Sequence, residues 1–275
     1  PPHGQKGRVA YTGSVMKLRG ARYWLRAGTT AVLIGLSSLL LVSGVFRPAE
    51  TVGQTRTLWM SDLYRPAGDP DDHYDLATLF ALPELDVKGV IIDMSNMGEV
   101  RTNQKQGKQP GIVALKQIFH LSGKTVPVAL GLGQPLRSPD DQALEQPESD
   151  QGGVRMILST LKASPEKVSI FTVGSLRDVA AAYNRAPQLM RSKVRAIYVN
   201  AGTGPDRYQE EWNVLLDPTA YRRVLLSDLP IQWYPCFGRD NYRTYFRVDQ
   251  TEVVGDCAAP IKAFFEYALT RSSEE

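Results

Sequence analysis

From Thr57 to Thr270 the chain repeats a single pattern, a short apolar run followed by a polar turn and then a segment with apolar positions three and four apart. It predicts strands at Thr57–Met60, Leu85–Met94, Thr125–Leu130, Val168–Val173, Val194–Val199 and Ile231–Tyr234. Between and after them it predicts helices at Asp72–Leu82, Ile112–Leu121, Gly153–Lys162, Leu176–Tyr183, Pro218–Leu226 and Ala259–Thr270. Pro83 and Pro165 stop two of these helices. Strands separated by helices pair parallel through crossovers, and a parallel sheet must be covered on both faces. The expectation is therefore an α/β domain with a mostly parallel sheet and helices on both faces. No internal repeat is visible.

The segment before this pattern has a different character. Of the 32 basic residues in the chain, seven lie in 1–49 with no acidic residue among them, leaving 25 against 29 acidic ones. The folded part is thus mildly acidic, which argues against a nucleic-acid or anionic-membrane surface. Lys17, Arg19, Arg22 and Arg26 lead into the uncharged run Ala27–Phe46, and Val42-Ser43-Gly44 suits signal cleavage. Residues 1–49 are accordingly expected to be an export signal, or a single membrane anchor, behind an extension that precedes Met16. Residues 50–275 are expected to be the catalytic-sized domain, placed in the periplasm or outside the cell. Cys236 and Cys257 fall in that exported part, and their spacing leaves open either a disulfide or two separate thiols. No Cys/His cluster suggests structural zinc.

In open parallel sheets, ligands bind beyond the carboxyl ends of the strands. The loops to search are therefore 61–72, 95–103, 131–139, 174–175 and 200–213. The first contains Asp62, Asp69, Asp71 and Asp72, with Asp75 one turn into the helix. Helix capping and the helix dipole account for one or two carboxylates there. Three within four residues repel one another, which raises a pKa or calls for a hard cation such as Ca²⁺ or Mg²⁺.

These residues also carry a resemblance. Met60-Ser-Asp62, Gly68-Asp-Pro-Asp-Asp72, Leu76–Leu82 and Pro83-Glu-Leu-Asp-Val-Lys-Gly-Val90 resemble the opening of the nucleoside hydrolases. Thr125–Gly131 with Pro135-Leu136, Val173-Gly-Ser-Leu-Arg-Asp178, and Glu211-Trp-Asn213 with Asp217-Pro218 resemble later family segments in order. The resemblance implies an N-ribohydrolase that uses Ca²⁺ and acts on a small nucleoside or sugar derivative. It implies Asp62, Asp72 and the Val173 main-chain carbonyl as metal ligands. Asp71, Asn96, Glu211 and Asn213 would contact the sugar. Asp62 is the first choice for the base that takes a proton from water, with Asp69 second and Asp71 beside the ribose. Six residues, Leu63 to Gly68, lengthen the interval from Asp62 to the acidic pair, and a second register would put Asp75 in the place of the last family aspartate. The family's late calcium ligand, an aspartate next to a histidine, has no counterpart after His120, so it is expected either to be lost to a C-terminal truncation of the domain or to be replaced, with Asp240, Asp249 and Asp256 as candidate replacements.

His73 is read as an exposed first-turn residue or a proton donor to the leaving base, and His120 as a residue packed at a helix end. Trp233 is expected in the core, and Trp212 is expected to point away from the sugar residues on either side of it. Two rival readings stay beside the hydrolase: a non-catalytic nucleoside- or carbohydrate-binding protein, and a hydrolase of another glycosidic substrate. Self-association is left open.

Overall fold

A computed structural model describes residues 53–63, 70–93, 110–203, 211–236 and 249–270. The sequence-based assignments to residues 1–49, Asp69, Asn96 and Asp240 lie outside the described residues. Six strands form one parallel sheet: β1 Thr55–Ser61, β2 Leu85–Ile92, β3 Val128–Leu130, β4 Val168–Val173, β5 Val194–Thr203 and β6 Ile231–Cys236. Their spatial order is β3-β2-β1-β4-β5-β6. The chain thus builds outward from β1 in one direction, then returns to the other side of β1 and builds the opposite way. The reversal lies between β1 and β4, whose pairing sets Ser61 opposite Val173.

The helices are α1 Asp71–Ala81, α2 Pro110–Ser122, α3 Gly152–Ala163, α4 Arg177–Arg185, α5 Pro187–Lys193, α6 Trp212–Leu216, α7 Pro218–Leu225, α8 Gln250–Val254 and α9 Ala259–Thr270. Strand alternation divides the core in two. Leu58, Met60, Ile91 and Ile170 point to one face, where Ile157 of α3, Val179 of α4, Met190 of α5 and Val224 of α7 cover them. Trp59, Val90 and Ile92 point to the other face, under Leu76 of α1, Leu115 of α2, Val254 of α8 and Phe265 of α9. Each fully buried Leu or Ile of this kind contributes roughly 1.5–3 kcal/mol.

All six predicted strands and all six predicted helices form. Three short helices, α5, α6 and α8, were not anticipated. β2 ends at Ile92, two residues earlier than expected, which places Asp93 beyond the strand. Cys257 is exposed with a free thiol, so the disulfide with Cys236 is not made.

Candidate functional site

The acidic residues gather at the carboxyl edge of the sheet, beside the reversal between β1 and β4. Asp62 follows the last residue of β1, and its Oδ2 accepts a 2.7 Å hydrogen bond from Trp212 Nε1 at the start of α6. Burial pushes the Asp62 carboxyl up to about 7, the indole N–H partly offsets this, and the charges of Asp93 and Asp71 push it up further. Trp212 therefore points into the site, contrary to expectation.

The acidic turn starts α1. Pro70 occupies the N-cap, and its carbonyl accepts from His73 N and Tyr74 N at 3.1 Å each. Asp71 is exposed in the first turn, and its Oδ1 accepts from Asp72 N at 2.9 Å. Asp72 is half-buried, and Ser61 Oγ donates to its Oδ2. Burial raises the Asp72 carboxyl well above its ordinary range, and the charges of Asp62 and Asp71 add to this. Asp62, Asp71 and Asp72 thus form one electrostatically coupled group. His73 is the next residue of the same turn. It is fully buried, with its ring 5.9 Å from that of Phe264 in α9.

The opposite wall is α6. Glu211 is its N-cap: Oε1 accepts from Asn213 N at 3.0 Å, and Oε2 accepts from Val214 N at 3.1 Å and Gly202 N at 2.8 Å. Asn213 Nδ2 donates to the Asn200 carbonyl at 3.1 Å. These polar groups, expected to contact the sugar, fasten α6 to β5. Trp233, expected in the core, is 47% exposed and donates from Nε1 to the Ala201 carbonyl at 2.8 Å.

Two buried charges went unrecognised in the sequence. Asp93 was read as the end of a strand, yet its Oδ2 accepts from Ser175 N at 2.5 Å. A Cβ on Gly174 would sit 3.0 Å from both Asp93 Oδ2 and the Asp62 amide nitrogen, so this turn tolerates little more than glycine. Arg177, 2% exposed at the head of α4, lies 3.7 Å from Asp93 Oδ1 and 3.6 Å from Asp217 Oδ2. The one available signal was a charge pair, Arg177-Asp178, within a segment otherwise suited to burial. The intervening Leu176 adopts φ 59°, a left-handed conformation that costs an L-residue roughly 1–2 kcal/mol.

Calcium can be tested against these residues. Among the described residues, no three His, Cys, Asp or Glu side chains come together as a metal cage. The donors on offer are the Asp62 and Asp72 carboxylates and the Val173 carbonyl, which lies at the β4 end opposite Ser61. All are hard oxygens, the donor type that Ca²⁺ takes. Of the candidate late ligands, Asp249 instead caps α8 by accepting from Thr251 N at 2.9 Å, and Asp256 is exposed.

Residues 68–271 match the family profile described as inosine-uridine preferring nucleoside hydrolase. The chain belongs to this family. The match begins beyond Asp62, so the place of Asp62 in the site rests on its contacts with Trp212 and the acidic turn. Among curated relatives of this nucleoside hydrolase family member, the pyrimidine-specific ribonucleoside hydrolase RihA of Citrobacter koseri is 27% identical over 179 residues, covering 58% of this chain and 55% of that one. The enzyme of the same name from Escherichia coli O9:H4 is 25% identical over 224 residues, covering 72% and 68% respectively. The chain thus spans little more than half the length of most of the curated relatives it matches first. The crystal structure of an inosine-uridine preferring nucleoside hydrolase from Bacillus anthracis aligns with a TM-score of 0.49 at 18% identity, covering 66% of this chain and 64% of that one.

Proposed function

We propose that this family member hydrolyses the N-glycosidic bond of ribonucleosides, with Asp62 as the base that takes a proton from water. The reading rests chiefly on the placement of Asp62 at the end of β1, where Trp212 Nε1 holds its Oδ2 at 2.7 Å beside the acidic turn. Cleavage passes through an oxocarbenium-like state, and the neighbouring Asp71 carboxylate stabilises the positive charge that develops on the sugar. Asp72, Asp62 and the Val173 carbonyl would hold calcium. When bound, the ion supplies Lewis-acid charge to oxygen atoms at this wall. Trp212 keeps Asp62 oriented through its indole N–H.

The test is a base-release assay with purine and pyrimidine ribonucleosides, run with calorimetric Ca²⁺ titration. The parent should bind Ca²⁺ and release base. Asp62→Asn should lose on the order of 10²–10⁴-fold in rate, the range of general-base contributions. Asp72→Ala should lose Ca²⁺ binding. Nucleoside binding without base release would replace this reading with the binding-module one.

We also propose that residues 16–46 direct export. Protein recovered outside the cytoplasm should begin just after Gly44 if the signal is cleaved, or stay in the membrane with its N-terminus intact if it is an anchor. Soluble, unprocessed protein in the cytoplasm would refute export.

A further inference from the structure

The acidic wall and the α6 wall belong to different βα units, and one buried guanidinium touches α6 directly and is linked to the acidic wall through Asp93. Arg177 Nη1 donates to the Leu132 carbonyl beyond β3 at 3.3 Å, and Nη2 donates to the carbonyl of Leu216, the last residue of α6, at 2.5 Å. The same group lies 3.7 Å from Asp93 Oδ1 and 3.6 Å from Asp217 Oδ2. Asp93 accepts from Ser175 N in the turn after β4, and its own amide donates to the carbonyl of Ser61, next to Asp62, at 2.8 Å. Asp217 accepts from Leu136 N at 2.8 Å and caps α7 through Ala220 N at 2.9 Å.

These contacts close a ring. It runs from Asp62 through the Trp212 indole into α6, from Leu216 to Arg177, and through Asp93 to Ser61 and back to Asp62. Two carbonyls and two carboxylates from three segments of the chain meet at one planar group with five N–H donors, a demand that the compact lysine ammonium cannot meet. A buried ion cluster of this kind costs desolvation and adds little net stability, but it specifies one arrangement of the loops around it.

We propose that Arg177 is a positioning residue that sets the separation between the acidic wall and α6, and so holds Trp212 against Asp62. The proposal extends the hydrolase reading by naming what fixes the geometry of the same site. Its catalytic consequence rests on that reading, whereas its structural content does not.

The test is a double-mutant cycle on the whole chain, with R177K, W212F and the pair, read by thermal unfolding and by base release. If Arg177 acts through α6, R177K already breaks the Trp212–Asp62 bond. W212F should then lower Tm in the parent background and hardly at all in the R177K background, and the two losses in kcat/KM should fail to multiply. Tm losses that add would overturn the proposal, since they would make Arg177 a local packing residue. If R177K does not fold, Asp217→Asn takes its place in the cycle. That change removes one of the two flanking anions and keeps one of the two acceptor oxygens, enough for either the Leu136 or the Ala220 amide. A parent that releases no base would refute the hydrolase reading alone, because the stability cycle would still decide the role of Arg177.

Discussion

Glu211 has one duty that its contacts show and another that only the resemblance implies, and the two can be separated. The resemblance implies sugar contact, whereas both of its carboxylate oxygens accept main-chain N–H groups, from Gly202, Asn213 and Val214. Capping of this kind contributes about 1–2 kcal/mol. Glu211→Ala should therefore lower Tm without any ligand present, and a variant with unchanged Tm and lost nucleoside binding would assign the residue to the sugar alone. Asp93 and Arg177 show the limit of reading residues one at a time. A charge next to an apolar run looks the same whether solvent or a buried partner satisfies it, and only the packing of β2 against the β4 turn tells these apart.

Elements were legible in proportion to their length. α1, α3 and α9 each span three turns, enough for an apolar face to recur, whereas α6 and α8 have five residues each. A five-residue helix shows no period, and α6 is recognisable mainly from its N-cap, Glu211, once the fold is known. Contacts between elements were less legible still. Where α3 crosses the sheet, a Cβ on Gly153 would lie 2.3 Å from Asp178 Oδ1 and 2.8 Å from Ile91 Cγ2. Asp178 is fully buried and holds Leu132 N at 3.1 Å, so it has no room to retreat. Gly153→Ala should cost about 1–3 kcal/mol through overpacking. Gly53→Ala, with no atom within 4 Å of the added carbon, should leave unfolding unchanged. Equal midpoints for the two variants in denaturant titration would contradict this packing.

The whole molecule concentrates buried acid at one edge of its sheet, and this gives its stability a direction with pH. Burial holds Asp178 up at about 7, with the Asp93 charge adding to it and the Leu132 amide and Arg177 opposing. Asp62 is raised to a similar value. A carboxyl whose pKa is higher in the folded than in the unfolded chain binds its proton more tightly when folded. Its stabilising contribution is complete below the ordinary carboxylate value near 4 and is lost as pH rises through about 7. For Asp178 this is on the order of 4 kcal/mol. The metal-free domain should melt at a higher temperature at pH 5 than at pH 8, and Asp178→Asn should reduce that difference. A flat profile in the parent would show that these acids are ionised throughout.

What the sequence by itself determined was local: six strands, the long helices, and an acidic turn at the head of α1. Each depends on hydrogen bonds and side-chain periods among near neighbours in the chain. Tertiary structure decided everything that depends on which distant strands lie side by side. The order β3-β2-β1-β4-β5-β6 sets β1 against β4, and the fold brings Trp212 to Asp62 from 150 residues away. It also buries Arg177 between two carboxylates and turns His73 into the core. A pairing energy between remote elements is a property of their joint packing, and neither segment carries it alone.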